Sequence, residues 1–448
     1  MNKYSQKIYN FLNKHLNIKL DNYDVSNTNI YNKLYKLINN TKSDNYKYTL
    51  SKTEINKIHT PETHPLLYTL FKTLNKYKLI NDLDCDTTNF TNYMKWHREF
   101  YCNLDIANLQ QIIIKSNISE LLDLYNIIYK PDKIRLELHE LYTNRFVSLD
   151  ILQFIETIDL VQDIYTSDIY ELVIFYPKNQ NIKDIIDLNK IIHILTFMYE
   201  LNKENTEKEH NSKIKVGILL CNQKKYLPNI KNLILSSDNV NSGSTFTGSN
   251  INIWRCEEIY KVLIHELIHF YRLDFDSHNN MLDTYFNKLY NIVGKNYMNE
   301  AITETLANII NLCLVSYYNK TNINNLLNTE ILFSLFQSYK LFDYVGYNNH
   351  IDWSIQFKQN TSVFSYYIIK CALLYNIVDF IKLFEDNIYF ISQTNKSADT
   401  IEKELIELIT KSIDKIIKFL ELNHTQMKHS IEMSNGFVRD TMRMTCYG

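Results

Sequence analysis

Glycine and proline are scarce in this chain of 448 residues, which contains only 7 glycines and 5 prolines. Because both residues interrupt helices and form tight turns, their scarcity excludes a turn-rich architecture and favours a mostly helical one. The seven cysteines are scattered, and no CxxC pair is present. Such spacing argues against a disulfide framework and predicts reduced thiols in an intracellular protein.

Strong net charge and long apolar runs are also missing. A formal net charge of -2 argues against attraction to nucleic acid or to anionic membranes as the main activity. The N-terminus has no apolar core of a signal peptide, and the most apolar later stretches are too short to span a bilayer or carry Lys370 and Asp379. The sequence therefore predicts a soluble intracellular protein with no nucleic-acid partner and no membrane span.

The positions of the apolar residues predict an α+β protein that is predominantly helical. Residues 1–160 have apolar side chains at three- and four-residue spacing, which indicates an N-terminal helical region. Residues 161–320 mix strand-like and helical stretches and form the predicted core. Residues 321–448 are helical again and end in a tail that is not obviously helical.

Within the predicted core, β-branched and aromatic runs alternate with amphipathic stretches. A helix is expected to close at Gly294 as its C-cap, and a later helix over 299–318 has Asn299 available as its N-cap. Before them, the sequence predicts a strand over 170–178, a helix over 182–205 and a second strand over 213–221. A hairpin or edge strand over 244–255 and a helix over 257–275 follow.

The chemistry is concentrated in "VLIHELIHFY", residues 262–271. His265 and His269 are four residues apart, so on a helix both imidazoles can reach one metal ion, at about 2.0–2.1 Å for zinc. Glu266 lies about 100° round the helix, where a carboxylate can act as general base on a zinc-activated water. The apolar neighbours indicate a buried helix, in which a divalent cation would compensate all three groups. The alternative is a core helix whose histidines bond backbone or carboxylate partners.

A catalytic zinc site needs a third protein ligand. The downstream candidates are Asp274, Asp276, His278 and Glu300, and His278 does not fit an H-x-x-G-x-x-H continuation. Glu300 is favoured because it opens a new helix in "NEAITE", with Glu304 one turn later on the same face. The second carboxylate could then accept the remaining ring N–H of a ligating histidine.

"HELIH" followed by a helix that begins "NEAITE" resembles the gluzincin metallopeptidases, which include the thermolysin-like enzymes. This resemblance implies a zincin-like catalytic core with a small sheet and active-site helices over residues 161–320. It also implies a peptide or protein substrate and a Zn²⁺ cofactor. The zinc ligands that it implies are His265, His269 and Glu300, with Glu266 as the base and Glu304 as the supporting acid.

The resemblance covers residues 257–318, and the chain departs from the family pattern in two ways. Glu304 stands where the family has Asp, and the 30 residues between His269 and Glu300 exceed the thermolysin-type gap. The excess of Asn, Lys, Ile and Tyr is what an AT-rich coding sequence produces. In this respect the chain is similar to metallopeptidase-like proteins of giant DNA viruses, which implies a location in host cytoplasm or the virion.

The favoured function is a zinc-dependent metallopeptidase that hydrolyses peptide bonds with Glu266 as general base. An edge strand within 244–255 would pair an extended peptide, as the resemblance to zincins implies. One alternative is a non-catalytic binding or structural protein, for example virion-associated, that retains a zincin-like metal site. Another is a zinc hydrolase that acts on a non-peptide amide.

A peptidase also needs a donor for the oxyanion. The sequence offers Tyr344, Tyr347, His350, Arg439 and Arg443 as possible oxyanion or substrate contacts. The two arginines lie in the tail, and Arg forms bidentate contacts with carboxylates that Lys cannot form. Two placements of the tail are therefore open: it packs toward the cleft, or it stays on the surface.

Overall fold

The fold is known from a computed structural model. It describes residues 2–16, 24–41, 47–55, 146–205, 213–246, 249–274, 281–347, 350–383, 398–434 and 436–448, together with isolated positions between 18 and 144. The helices that the apolar spacing predicts between residues 65 and 129 lie almost entirely outside this part of the chain.

The fold is α+β and mostly helical, as the sequence predicts, and it is built around one six-stranded sheet with the order β1-β2-β3-β4-β6-β5. The first three strands run antiparallel, β4 and β6 continue the sheet in parallel with β3, and β5 returns antiparallel at the edge. The strands are β1 (Thr49–Ile55), β2 (Leu160–Thr166), β3 (Tyr170–Pro177), β4 (Ile214–Leu219), β5 (Gly243–Phe246) and β6 (Asn250–Ile253).

The strands predicted over 170–178 and 213–221 are confirmed as β3 and β4, and the hairpin predicted within 244–255 is β5 and β6. β1 was not predicted, because the apolar spacing over residues 1–160 indicates a mostly helical region. Residues 49–54 are exposed, so no alternating apolar pattern marks the strand. β1 nevertheless pairs with β2 along its whole length, so the N-terminal region contributes an edge strand to the sheet.

The described helices pack on the sheet and on one another, and none of them is both long enough and apolar enough to cross a bilayer. A π-helical turn, Ser365–Ile369, runs directly into one of them. The helices are α1 (Lys3–His15), α2 (Asn29–Asn40), α3 (Leu149–Thr157), α4 (Ile182–Ile185), α5 (Leu188–Asn205), α6 (Ser237–Val240), α7 (Ile259–Phe270), α8 (Met281–Leu289), α9 (Met298–Asn319), α10 (Ile323–Val345), α11 (Lys370–Tyr375), α12 (Ile377–Lys382), α13 (Ala398–Leu422), α14 (His424–Met433) and α15 (Gly436–Asp440).

Helix α7 lies in the core and packs against β5, β6, α5 and α9. Every residue of α7 is buried except Tyr260 and His269, which are partly buried. The helix begins after Glu258 and ends before Arg272, two non-glycine residues in the left-handed region with φ of 59° and 53°. Because such a conformation is unfavourable for side chains other than glycine, tertiary contacts must hold both ends of α7.

The helix that was predicted to close at Gly294 ends before that residue. Helix α8 ends at Leu289, and the chain continues as β7 (Ile292–Gly294), which pairs in parallel with β8 (Phe357–Gln359). Gly294 has φ +112°, and a Cβ there would lie 1.7 Å from the main-chain oxygen of Gln359. The glycine therefore allows close strand approach and is not a helix cap.

The predicted N-cap at Asn299 is also wrong. Helix α9 starts one residue earlier, at Met298, with Tyr297 in the cap position and no side-chain cap of its own. The main-chain N–H of Met298 instead donates to the carboxylate of Asp283 at 2.7 Å. Because that acceptor comes from α8, the cap depends on tertiary packing and local sequence does not reveal it.

The end of the tail takes neither of the two expected placements, because residues 441–447 are buried in the core and Gly448 is partly buried. Main-chain oxygens accept from the N–H groups of Thr441 and Met442, and buried carboxylates accept from N–H groups further along the segment. Glu258 accepts from Met444 and Thr445 at 2.7 and 2.6 Å, and Glu330 accepts from Cys446 at 2.9 Å. The tail thereby connects α10 with the residue that precedes α7.

The two tail arginines are not substrate contacts of the kind that the sequence suggests. Arg439 is exposed and pairs with its neighbour Asp440, with 2.8 Å between Nε and Oδ1. Arg443 is buried beside Glu258, whose negative charge it helps to compensate. Both guanidinium groups therefore have partners outside the cleft.

Lys340 of α10 supports a prediction about pH. Its Nζ donates to the main-chain oxygen of Thr441 at 2.6 Å, and burial lowers its pKa to about 7. In the unfolded chain the pKa of a lysine is about 10.4. Between the folded and unfolded pKa values, the unfolded state binds more protons than the folded state, so the free energy of unfolding rises with pH. Relative to Lys340→Met, the free energy of unfolding of the wild type should rise by about 2 kcal/mol from pH 7 to pH 9.

Urea unfolding at the two pH values measures this difference. The exposed Lys418→Met on α13 is the matched control and should show no such change. A constant difference in unfolding free energy between the wild type and Lys340→Met across the range would contradict the prediction.

Candidate metal centre

Three side-chain atoms from α7 and α9 form a nearly equilateral triangle. Nε2 of His265 lies 3.2 Å from Nε2 of His269, and Oε2 of Glu300 lies 3.3 and 3.4 Å from these two nitrogens. In a tetrahedral zinc site with bonds of about 2.0–2.1 Å, neighbouring ligand atoms are about 3.3–3.4 Å apart. The triangle therefore has the edges of a zinc tetrahedron.

The two helices bring these atoms together in different ways. His265 and His269 share a face of α7 because they are one turn apart. Glu300 is in the first turn of α9, which packs against α7. Sequence reasoning selected all three residues, and in the described part of the chain they are the one group of His, Cys, Asp and Glu side chains close enough together to hold a metal ion.

Carboxylates behind the histidines determine which nitrogen of each ring faces the centre. Nδ1 of His269 lies 2.7 Å from Oδ2 of Asp274, which also accepts from Thr303 at 3.2 Å. Nδ1 of His265 lies 3.0 Å from Oε2 of Glu304. Both rings therefore turn Nε2 toward Glu300, as metal-binding histidines do when a carboxylate holds the other nitrogen.

The sequence offers Asp274 as a candidate ligand and favours it as a helix-end or turn carboxylate. It lies just past the end of α7, as the second interpretation expects, and it also accepts from Nδ1 of His269. Its position five residues after His269, just past the end of α7, is the only signal that could have indicated this contact. The other two downstream candidates, Asp276 and His278, lie outside the described residues.

Glu304 forms a buried ion pair with Lys261. Its Oε1 lies 2.5 Å from Nζ of Lys261, and both side chains are almost fully buried. Burial raises the pKa of Glu304, but Lys261 and His265 outweigh this effect and hold it below its usual range. Lys261 was not predicted, although a lysine one turn before His265 in so apolar a helix is unusual.

The charges at the triangle favour a cation. Burial raises the pKa of Glu300, but the imidazoles of His269 and His265 bring it well below its ordinary value. Burial lowers the pKa of His269, but Glu300 and Asp274 outweigh it, and the net pKa is well above its ordinary value. Oε2 of Glu300 is buried and accepts no hydrogen bond. A divalent ion would satisfy this oxygen and replace protons held by the rings.

Glu266 borders the triangle without joining it. Its Oε2 accepts from the hydroxyl of Thr245 at 2.6 Å. Burial raises its pKa above the usual range, and this effect outweighs the opposing influence of His265 and His269. A carboxylate whose pKa is raised holds a proton more readily, as a group that accepts and returns protons must.

The centre opens into a cleft of about 270 Å³. Apart from Glu266 and the three residues of the triangle, Lys295 is the only charged side chain among the described residues that line the cleft. Tyr366, on the π-helical turn, also lines it, and its ring centroid lies 6.4 Å from that of His265. Polar uncharged side chains supply most of the remaining wall, among them Asn241, Ser244, Asn299, Asn360, Thr361 and Ser362.

The oxyanion donors suggested by the sequence lie elsewhere. The hydroxyl of Tyr347 donates to the main-chain oxygen of Ile355 at 3.1 Å, and Tyr344 donates to a main-chain oxygen of the loop before α6. His350 is exposed and pairs with Glu421 at 2.6 Å. None of these three side chains lines the cleft. Residue type alone does not show which aromatic side chain the packing turns toward the centre.

Comparison of the chain with models of protein families, with curated proteins and with solved structures finds no match. Support for a metal centre therefore comes from the positions and chemistry of these side chains.

The contact between Asp274 and His269 yields a prediction about metal affinity. Zinc should bind at one ion per chain, Glu300→Ala should abolish this binding, and Asp274→Asn should weaken it by about 10- to 100-fold because His269 loses its oriented partner. Competition with a chromogenic chelator measures the dissociation constants. Asp163→Asn is the control, because it removes a buried carboxylate of β2 that is about 100 residues before His265 in the sequence. Unchanged affinity in Asp274→Asn would refute the role of this carboxylate.

Proposed function

We propose that the protein is a zinc-dependent metallopeptidase with a zincin-like core, in which Glu266 is the general base. The observation that carries this proposal is the spacing of His265, His269 and Glu300, whose three atoms match the edges of a zinc tetrahedron. Glu266 lies in the same cleft, as hydrolysis requires. A purely structural metal site has no need of such a base.

His265, His269 and Glu300 would hold the zinc ion. Zinc, when bound, supplies a Lewis acid for the scissile carbonyl and makes a water molecule easier to deprotonate. Glu266 accepts the proton of the attacking water and returns it to the leaving amine. Its burial and its raised pKa suit both halves of this transfer.

The substrate that the cleft supports is an extended peptide. β5 is the edge of the six-stranded sheet, and three of its residues, Gly243, Ser244 and Thr245, line the cleft beside Glu266. An edge strand can pair with a peptide through main-chain hydrogen bonds. Binding along β5 would place a peptide bond next to the base.

Tyr366 is the side chain best placed to donate to the oxyanion. It is buried in the cleft, and burial together with the carboxylates of Glu300 and Glu266 raises its pKa well above the usual value. Its hydroxyl therefore remains protonated, and it could turn from Glu300, to which it is hydrogen-bonded, toward an oxyanion. π-Helical turns such as Ser365–Ile369 are frequent at functional sites.

Zinc content and peptide cleavage, measured for wild type, Glu266→Gln and His265→Ala, test the function. Glu266→Gln should retain zinc and lose turnover, because the amide keeps its shape but cannot take a proton. His265→Ala should lose both. Asp163→Asn is again the control and should keep both. Stoichiometric zinc without hydrolysis of a broad peptide library would favour the binding protein, and a chain without affinity for zinc would refute the site.

Tyr366→Phe tests the oxyanion donor. We expect kcat to fall by about 100- to 1000-fold with KM and zinc content nearly unchanged, because the lost hydrogen bond forms mainly in the transition state. Tyr367→Phe is the matched control, since the hydroxyl of Tyr367 donates to the main-chain oxygen of Met442 and does not line the cleft. Equal rates for Tyr366→Phe and the wild type would exclude this role.

A further inference from the structure

We propose that strand β5 positions the general base: Thr245 anchors one carboxylate oxygen of Glu266, and Gly243 leaves space beside the other, so Oε1 is the oxygen that takes the proton. This inference rests on the proposed function, because it assigns roles to the two oxygens of the proposed base. It adds two positioning residues that do not themselves touch the reacting atoms.

The hydroxyl of Thr245 lies close to two oxygens of Glu266. Its Oγ1 lies 2.6 Å from Oε2 of the carboxylate and 3.0 Å from the main-chain oxygen of the same residue. A hydroxyl carries one hydrogen, and an ionised carboxylate is the stronger acceptor. The hydroxyl therefore donates to Oε2, and the side chain of Glu266 is tied to the sheet edge.

Gly243 lies beside the other oxygen. A Cβ at this position would be 2.6 Å from Oε1 and 3.0 Å from Cδ of Glu266, closer than packed atoms approach. The absence of a side chain thus leaves space for the carboxylate, and Gly243 also lines the cleft. Because Oε2 is occupied by the hydroxyl of Thr245, Oε1 remains available for the substrate water.

The two contacts lie on the strand that borders the substrate. Gly243 and Thr245 are two residues apart on β5 and so share one face of the strand, the face toward α7. The edge strand that would pair the peptide therefore also determines the orientation of the base. Misplacement of a reacting group by about 1 Å can cost about 100-fold in rate, so this coupling has a measurable consequence.

Steady-state kinetics of the zinc-loaded full chain test the anchor. Thr245→Val, which removes the hydroxyl at nearly constant shape, should lower kcat by about 10- to 100-fold with KM and zinc content within about twofold. Thr245→Ser, which retains the hydroxyl, should restore kcat to within about threefold of wild type. Gly243→Ala should lower kcat while zinc content is retained, because the new methyl group displaces Glu266. Thr196→Val is the matched control, since that hydroxyl donates at 2.8 Å to a main-chain oxygen within α5.

Crystal structures of metal-free wild type and Thr245→Val provide a readout that does not depend on turnover. The proposal expects one orientation of Glu266 in the wild type and a displaced carboxylate in the variant. An unmoved Glu266 with unchanged kcat in Thr245→Val, or a loss in Thr245→Ser as large as in Thr245→Val, would overturn it. If the wild type cleaves no peptide, the proposed function fails, and the two crystal structures still decide whether Thr245 orients Glu266.

Discussion

Burial of helix α7 is the constraint on which the other features of the protein depend. The helix places Lys261, His265 and Glu266 in the interior, where an ionised group without a partner is costly. Each of them meets a side chain from another element: Lys261 and His265 contact Glu304 of α9, and Glu266 contacts Thr245 of β5. These contacts hold α7 in a defined orientation between α9 and the sheet edge, as a metal centre built on it requires.

The same constraint explains why the tail lies in the core. Glu258, which precedes α7 in a left-handed conformation, forms a buried ion pair with Lys225 and accepts from the main chain of Met444 and Thr445. An irregular segment can lie in the interior only if its N–H groups find acceptors, and this carboxylate provides one. The end of the chain thus supports the start of helix α7 without entering the cleft.

Part of the fold could be predicted because burial leaves a pattern in the sequence. β3 is a nearly continuous apolar run, since all of its residues except Glu171 are buried, whereas the apolar residues of β4 are interrupted by the exposed Lys215. β1 was missed because residues 49–54 are exposed and carry no such pattern. Gly294 was assigned to a helix cap, since a glycine after a helical run is compatible with either a cap or a close strand approach. Only the strand pairing of β7 with β8 distinguishes them.

The sequence by itself determined the parts of the candidate site that depend on local geometry. Helical periodicity places two imidazoles one turn apart with Glu266 beside them, and "NEAITE" offers the carboxylates of a second helix. Tertiary structure alone decided which side chains complete the site, because their contacts join elements that are not neighbours in the chain or lie beyond a helix end. Those residues are Asp274 behind His269, Lys261 beside Glu304, Tyr366 in the cleft, and Gly243 and Thr245 against Glu266.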